Sequence, residues 1–476
     1  MYDLIIKNGL VVSPKTTIKE DICIKDEIIK YIGKLKSTNS AKRIINADGK
    51  YVMPGVIDAH MHVLAPFQGC LGANDFYTQS ISAAFGGVTT FIDFTNTFKG
   101  KSVFEAIKTR RKEMENSAID FGIHGKFVEA PQNILDEIPK IVEYGCPSFK
   151  LFMTYKKEGV MSDDETLLKV FREAKKYNAL PMVHAESNAI AELNNEEFEK
   201  DNKLDWCDFA KAKPILCEAE AASRAIYYSE YTGNALLIVH STNGEVINSV
   251  KRAQEKGFPI YAETCPQYLV LSKSIYNDPN KGYLSICSPP LRTKKESEEL
   301  WEGIKNGNIS VTGSDDCTYS KKEKTMFLDR DKDDNIIPDY TKVVNGVPGI
   351  ETRFPILLSE GVSKKRFSIN KLCEITSTNI AKIFGCYPKK GILAEGSDAD
   401  IVIVDPNKEV KLSADSLHNN IDYSLYENIK TKGFPIITIS KGNVIVENGR
   451  FYGKKGDGQF IKRKIKKEFL EKFNLK

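Results

Sequence analysis

Along the first 53 residues, apolar and polar side chains alternate in short runs broken by turn residues. Asp3-Leu4-Ile5-Ile6-Lys7 is followed by Asn8-Gly9 and then Leu10-Val11-Val12, and Asn-Gly between two apolar runs predicts a β-hairpin. A charged Lys25-Asp26-Glu27 turn precedes Ile28-Ile29. The same texture returns in Ala399-Asp400-Ile401-Val402-Ile403-Val404 and in Lys441-Gly442-Asn443-Val444-Ile445-Val446, which is followed by Asn448-Gly449. Neither end alone could bury both faces of a sheet. Residues 1–53 and 386–455 are therefore expected to meet in one small β-sandwich domain.

Between them, residues 54–385 alternate short apolar runs with helical patterns. The strand candidates are Gly55–Ala59, Val88–Phe94, Asp120–Phe127, Ser148–Phe152, Leu180–Ala185, Ala235–Val239, Pro259–Ala262 and Ser310–Gly313. Helical stretches cover Ser102–Ser117, Asp163–Tyr177, Pro214–Tyr231 and Lys294–Asn306. Strands at this spacing predict an α/β class chain with a (β/α)₈ TIM barrel rather than a doubly wound open sheet. The charged segment 319–342 after the last strand falls at the C-terminal mouth of such a barrel, where lids occur. Residues 456–476 form a basic tail that ends in an amphipathic-looking stretch, expected to lie in solvent or against a neighbouring subunit.

Composition narrows the classes further. Lys+Arg 68 against Asp+Glu 64 gives a net charge of +4, mixed along the chain, so no basic face for nucleic acid is expected. No run approaches the roughly 18 apolar residues of a membrane span, and MYDLIIKNGLVV lacks the pattern of a secretory leader. The ten cysteines are scattered without a CxxC pair, which reads as reduced thiols in a cytoplasmic protein.

The six histidines are few, and five of them sit on predicted barrel strands or at their C-terminal ends. That end carries the active site in this fold. His60-Met61-His62 places two imidazoles on one side of an extended segment. His184 and His240 each close an apolar strand, and four buried imidazoles on one rim would each need a partner to offset lost hydration. A metal satisfies them together. Lys150 lies inside the apolar run Ser148-Phe149-Lys150-Leu151-Phe152, yet an ammonium would be repelled by such a metal. Carboxylation by carbon dioxide would reverse its sign and supply two oxygens able to bridge two ions. Asp315, in Thr312-Gly313-Ser314-Asp315, is the matching carboxylate at the last strand end, able to hold a metal and to take and return a proton. His124 needs no metal role and is expected in the core or behind the site, and His418 is expected as ordinary surface.

With His60-x-His62, Lys150, His184, His240 and Asp315 in this order, the sequence resembles the dihydropyrimidinase/D-hydantoinase family, cyclic amidohydrolases of the amidohydrolase superfamily. The resemblance covers nearly the whole chain. It includes Met53-Pro54-Gly55-Val56-Ile57-Asp58-Ala59-His60, Ser148 to Tyr155, Ser288-Pro289-Pro290-Leu291-Arg292 and Asn345-Gly346-Val347-Pro348-Gly349-Ile350-Glu351. It implies a metal-dependent enzyme that opens the ring of dihydropyrimidines (dihydrouracil, dihydrothymine) or substituted hydantoins to N-carbamoyl amino acids. It also implies that His60, His62, carboxylated Lys150 and Asp315 hold one divalent ion while Lys150, His184 and His240 hold the other. Zinc is expected, with manganese the alternative. Asp315 would return its proton to the leaving ring nitrogen, and Tyr155 would donate its hydroxyl to the oxyanion. Ser288 and Asn345 would recognise the cyclic amide mainly through backbone groups, and loop residues near 64–70, Leu64 among them, would face the ring substituent together with Phe152. The resemblance further implies a homotetramer, or a homodimer, acting on a small uncharged ring amide.

Some positions depart from the family. Asp316 replaces the usual His after the metal aspartate, Ala65, Gln68 and Cys70 replace residues common in the first loop, and Tyr77-Thr78-Gln79-Ser80 replaces the usual Glu-Thr-Gly-Thr. These changes bear on substrate choice. Dihydroorotase relatives carry an arginine clamp where this chain has Leu64, and allantoinase is disfavoured by Asn345-Gly346-Val347-Pro348-Gly349. A phenylhydantoinase with a larger pocket remains an alternative, as does a metal-free structural relative. The latter would have lost ligands that this chain retains.

Overall fold

The computed structural model describes residues 1–36, 40–473 and 475. Its first unit is a nine-stranded sheet drawn from both parts of the chain that alternate with period two. Tyr51–Pro54 is the join: it runs parallel to Tyr2–Val12 and antiparallel to Ile401–Lys411, with Val52 opposite Ile403. Leu4, Ile6, Ile22, Ile24, Val52 and Ile401 form part of its buried core.

Tight turns follow the sequence in most places. Asp26 and Glu27 both take positive φ between Thr17–Lys25 and Ile28–Gly33, as do Lys441 and Gly442 between Lys430–Ser440 and Asn443–Glu447. Such paired left-handed residues match the twist of the strands they join. Asn8-Gly9 is a correction: Tyr2–Val12 is one strand, and the pairing to Thr17–Lys25 slips between Ile6 and Gly9. The pair makes a bulge, not a turn. Asn8 supplies the left-handed φ of +63°, and a side chain at Gly9 would collide with Val52.

The second unit is an eight-stranded parallel sheet in sequential order, nearly closed into a barrel. Its strands are Val56–Asp58, Val88–Phe94, Asp120–Lys126, Ser148–Phe152, Leu180–His184, Leu236–Ile238, Ile260–Thr264 and Val311–Thr312. First and last strands meet beyond their ends, where Asp315 N–H donates to His60 O (2.9 Å) and His62 N–H to Asp316 O (2.8 Å). Fully buried Arg353 pins the same seam, donating to Thr312 O and Ile57 O and pairing with Asp58.

The lumen is packed from below. Ile92, Leu180, Met182, Leu237, Tyr261 and Val311 share a cluster with Ile461, Ile465, Phe469 and Leu470 of the tail. Ile461 N–H donates to Phe121 O, and Arg463, fully buried, donates to Ser148 Oγ and Ile123 O. The described part of the tail therefore seals its own barrel. It is helical only over Glu468–Glu471, because its apolar residues repeat to fit the lumen floor rather than one helix face. Residues 474 and 476 of the expected basic tail lie outside the described residues. No helix among the described residues is long and apolar enough to cross a membrane.

Candidate active site

Strand parity carries the site. Along Leu180–His184 the inward positions read Leu180, Met182, His184, so two apolar rungs in the plugged lumen are followed by an imidazole at the mouth. His60, His62, Lys150, His184, His240 and Asp315 all converge there. His60 Nε2 and His62 Nε2 lie 3.0 and 3.2 Å from Asp315 Oδ1. Lys150 Nζ is 3.4 Å from His60 Nε2, and His240 Nε2 is 3.0 Å from His184 Nδ1. One ligand-type atom each from His60, His240 and Asp315 lies within 4.8 Å of the others. His240 and Asp315 take φ of +37° and +53°, and Tyr155 takes +66°. Left-handed backbone at such residues is a strain that clusters at functional sites.

Two carboxylates behind the histidines set which ring nitrogens face the centre. Glu263 Oε1 sits 2.6 Å from His60 Nδ1 and accepts the His240 N–H at 3.1 Å, while Glu186 Oε2 sits 2.6 Å from His184 Nε2. A carboxylate on one ring nitrogen keeps a proton there and leaves the other nitrogen's lone pair pointing inward. Burial lowers His62 to about 4 and, with the charge of His184, holds His240 well below the ordinary imidazole range, so both are neutral at physiological pH. Burial also works against protonating His60, but Glu263 and Asp315 outweigh it and raise it to about 9. His240 Nδ1 is buried with no partner among the described residues. Convergent imidazole lone pairs, one carboxylate and an orphaned buried nitrogen form a donor set that fits divalent transition metals, with protons as competitors.

Lys150 is fully buried, and burial lowers it to about 8 against the pull of Asp315 and Glu263. Asp315 is held well below the usual carboxylate range, because His60 and His62 overcome the cost of its burial. Tyr155 is pushed well above the usual phenol range by burial and by Glu186, so its hydroxyl stays a donor. Its ring stands 5.3 Å from that of His184.

A cavity opens over these groups, lined also by Tyr155, Phe152, Ser288 and Asn345. Asn345 N–H is already committed to Gln68 Oε1 at 2.9 Å, and Ser288 Oγ accepts from Lys213 Nζ at 2.7 Å. Leu64 is the exception among the expected site residues. It does not line the cavity; its φ of +46° turns its side chain onto the main core.

The departing residues Gln79 and Asp316 meet each other. Gln79 Nε2 donates to Asp316 Oδ2 (2.7 Å), and Gly349 and Ile350 N–H donate to Oδ1 (2.6 and 2.9 Å). Asp316 thus fastens the segment after Asn345 rather than meeting the histidines. His124 is a core residue, bonded to Ser148 Oγ and Ala59 O. His418 is exposed, as expected of a surface residue, and from there pairs with buried Glu351 at 2.7 Å and stacks on Phe85.

Several contributors escaped the sequence reading. Glu263 on its strand and Glu186 two residues past the end of its own keep the inward parity of Tyr261 and His184, a period-two signal that could have found them. Lys213 links Glu186 (3.2 Å) to Ser288. Lys324, fully buried in the short helix Lys321–Thr325, donates to Ile286 O and Val344 O, both at 2.8 Å. It thereby ties together the segments that present Ser288 and Asn345.

Residues 51–445 match the model of the amidohydrolase family. The chain is 40% identical over 462 residues to the D-hydantoinase of Geobacillus stearothermophilus, covering 96% of each. It is 37% identical over 464 residues to a D-phenylhydantoinase of Escherichia coli O1:K1 / APEC, covering 97% of this chain and 98% of that one. The structure of the dihydropyrimidinase from Brevibacillus agri superposes with a TM-score of 0.92 at 37% identity, over 96% of this chain and 98% of that one.

Proposed function

The chain belongs to the amidohydrolase family, and on that premise we propose that it opens the rings of dihydropyrimidines and substituted hydantoins, using two divalent metals held by the residues described above. It is a hydrolase of cyclic amide C–N bonds. The observation that carries the assignment of roles is the convergence of His62, His184, His240, Lys150 and Asp315 on one cavity, with His60 packed against Asp315 and Lys150.

His60, His62 and Asp315 would hold one ion and His184 and His240 the other, with carboxylated Lys150 between them. Lys150 supports this because a buried lysine lowered to about 8 keeps a fraction of free amine, the form that adds to carbon dioxide. Bound there, the metals would act as Lewis acids on the ring carbonyl and lower the pKa of water, with Zn²⁺ the expected ion and Mn²⁺ the alternative. Asp315 takes the proton of the attacking water and delivers it to the ring nitrogen as the C–N bond breaks. Tyr155, neutral and fixed at the rim, donates to the oxygen that gains charge. Backbone groups at Ser288 and the Asn345 carbonyl hold the amide edge of the ring. A homotetramer in the cytoplasm is the proposed setting.

The test is a ring-opening panel on metal-loaded enzyme with dihydrouracil, hydantoin, phenylhydantoin and allantoin. Opening of the first three at rates well above allantoin is expected. No ring opening, or a purified protein that takes up no divalent metal, sinks the reading.

A further inference from the structure

The cavity contains one cation that the ring-opening chemistry does not use. Lys126 ends the third barrel strand and lines the cavity, with Lys150 beside it in register on the fourth strand. Its backbone N–H is bonded to Thr95 Oγ1, which fixes the segment, while its ammonium lies 5.4 Å from the Phe98 ring centre. Among the described residues no carboxylate lies within ion-pair distance of it. Burial lowers it to about 8, with Arg110 adding repulsion and no acid offsetting either. A partly exposed ammonium that lines a cavity without an ion-pair partner is placed to meet an anion that enters it.

Its position says which part of a substrate would bring that anion. Ser288 and Asn345, which face the amide edge, come from segments following the seventh and eighth strands; the third strand stands across the barrel from the seventh. The same cavity is also lined by Ala65, Pro66, Phe67 and Asn96. Asn96 Nδ2 donates to Leu64 O (3.2 Å), which holds the first loop against the end of the second strand. This wall is the one expected to face the ring substituent.

Resting on the ring-opening reading, we propose that Lys126 is a specificity-determining residue that binds a carboxylate on the ring substituent, so that the preferred substrates are neutral cyclic amides carrying an anionic side chain. The ring stays uncharged, as the amide edge requires. The side chain supplies the charge that pairs with Lys126 at the solvent-reaching wall of the cavity, where salt competes with the pair.

The test compares a hydantoin bearing a carboxyethyl group with its neutral carboxamide counterpart, which has nearly the same shape. Metal-loaded wild-type enzyme is expected to favour the acid in kcat/KM by at least about tenfold, a preference that shrinks with added salt. Lys126→Met should abolish the preference and Lys126→Glu should reverse it. Equal rates for acid and amide in the wild type, or an acid preference that survives in Lys126→Met, overturns the proposal while leaving ring opening intact. Should either variant fail to fold, the wild-type ratio and its salt dependence decide alone. An enzyme that opens neither ring overturns the ring-opening reading and this subsite with it.

Discussion

Two lysines are buried at opposite ends of the barrel, and their surroundings make them different chemical species. Lys390, below the strands, sits 2.5–2.9 Å from carboxylate oxygens of Asp400, Asp120 and Asp398. Burial favours its neutral form, but those three acids overcome it and raise it. It is a permanent cation that rivets the sheet domain to the barrel floor, and it fills a carboxylate cluster that could otherwise gather around a metal. Lys150, at the mouth, has no such saturation and is lowered to about 8. A paired buried charge is structural, whereas a buried amine left short of partners is available for chemistry.

Removing each lysine should therefore fail in a different way. Lys150→Ala is expected to lower kcat at least about a thousandfold, roughly 4 kcal/mol of barrier, with loss of bound metal by elemental analysis. Short-chain carboxylic acids added to the assay should restore part of the activity, and a variant with wild-type metal content would refute the bridging role. Lys390→Met strands three acids around an apolar side chain and should cost about 3–5 kcal/mol in urea unfolding. The folded, metal-loaded remainder should turn over close to the wild-type rate. A loss of turnover in that fraction would erase the distinction between the two lysines.

Lys324 is an intermediate case, since only carbonyls accept from it, and burial lowers it to about 7. Between that value and the ordinary lysine range the unfolded chain binds the extra proton, so stability rises with pH across this window. Wild type should gain about 1 kcal/mol over Lys324→Met between roughly pH 7.5 and 8.5 in paired unfolding curves. Parallel curves would show that Lys324 keeps its proton in the fold.

What could be read from the sequence was whatever repeats locally. Barrel strands such as Val88–Phe94 and Ser148–Phe152 coincide with their apolar runs, and the helix Lys294–Asn306 keeps its expected bounds, set by the caps Thr293 and Gly307. The six candidate ligands were legible for a related reason: each is a polar residue within an apolar run, as Lys150 is, or at or just past the end of one, which is unfavourable unless a partner offsets it. Asn8-Gly9 was misread because bulge and turn use the same residues, and only the strand partners decide between them. Leu64 was misplaced because a left-handed residue reverses the side to which its side chain points. Lys213, Lys324 and the Gln79–Asp316 contact depend on approaches between distant segments that no local pattern encodes.

The tail that closes the lumen also orders events during synthesis. Tyr51–Pro54 leaves the ribosome long before its partner Ile401–Lys411, and the barrel floor waits for Ile461, Ile465 and Phe469. All eight barrel strands thus exist before the residues that fill their interior, leaving a nascent chain with an unfilled apolar tube. Pairings so distant along the chain form slowly and expose aggregation-prone surface meanwhile. Final assembly of this enzyme is accordingly a late event, with the site at one end of the barrel completed only once the opposite end is stoppered.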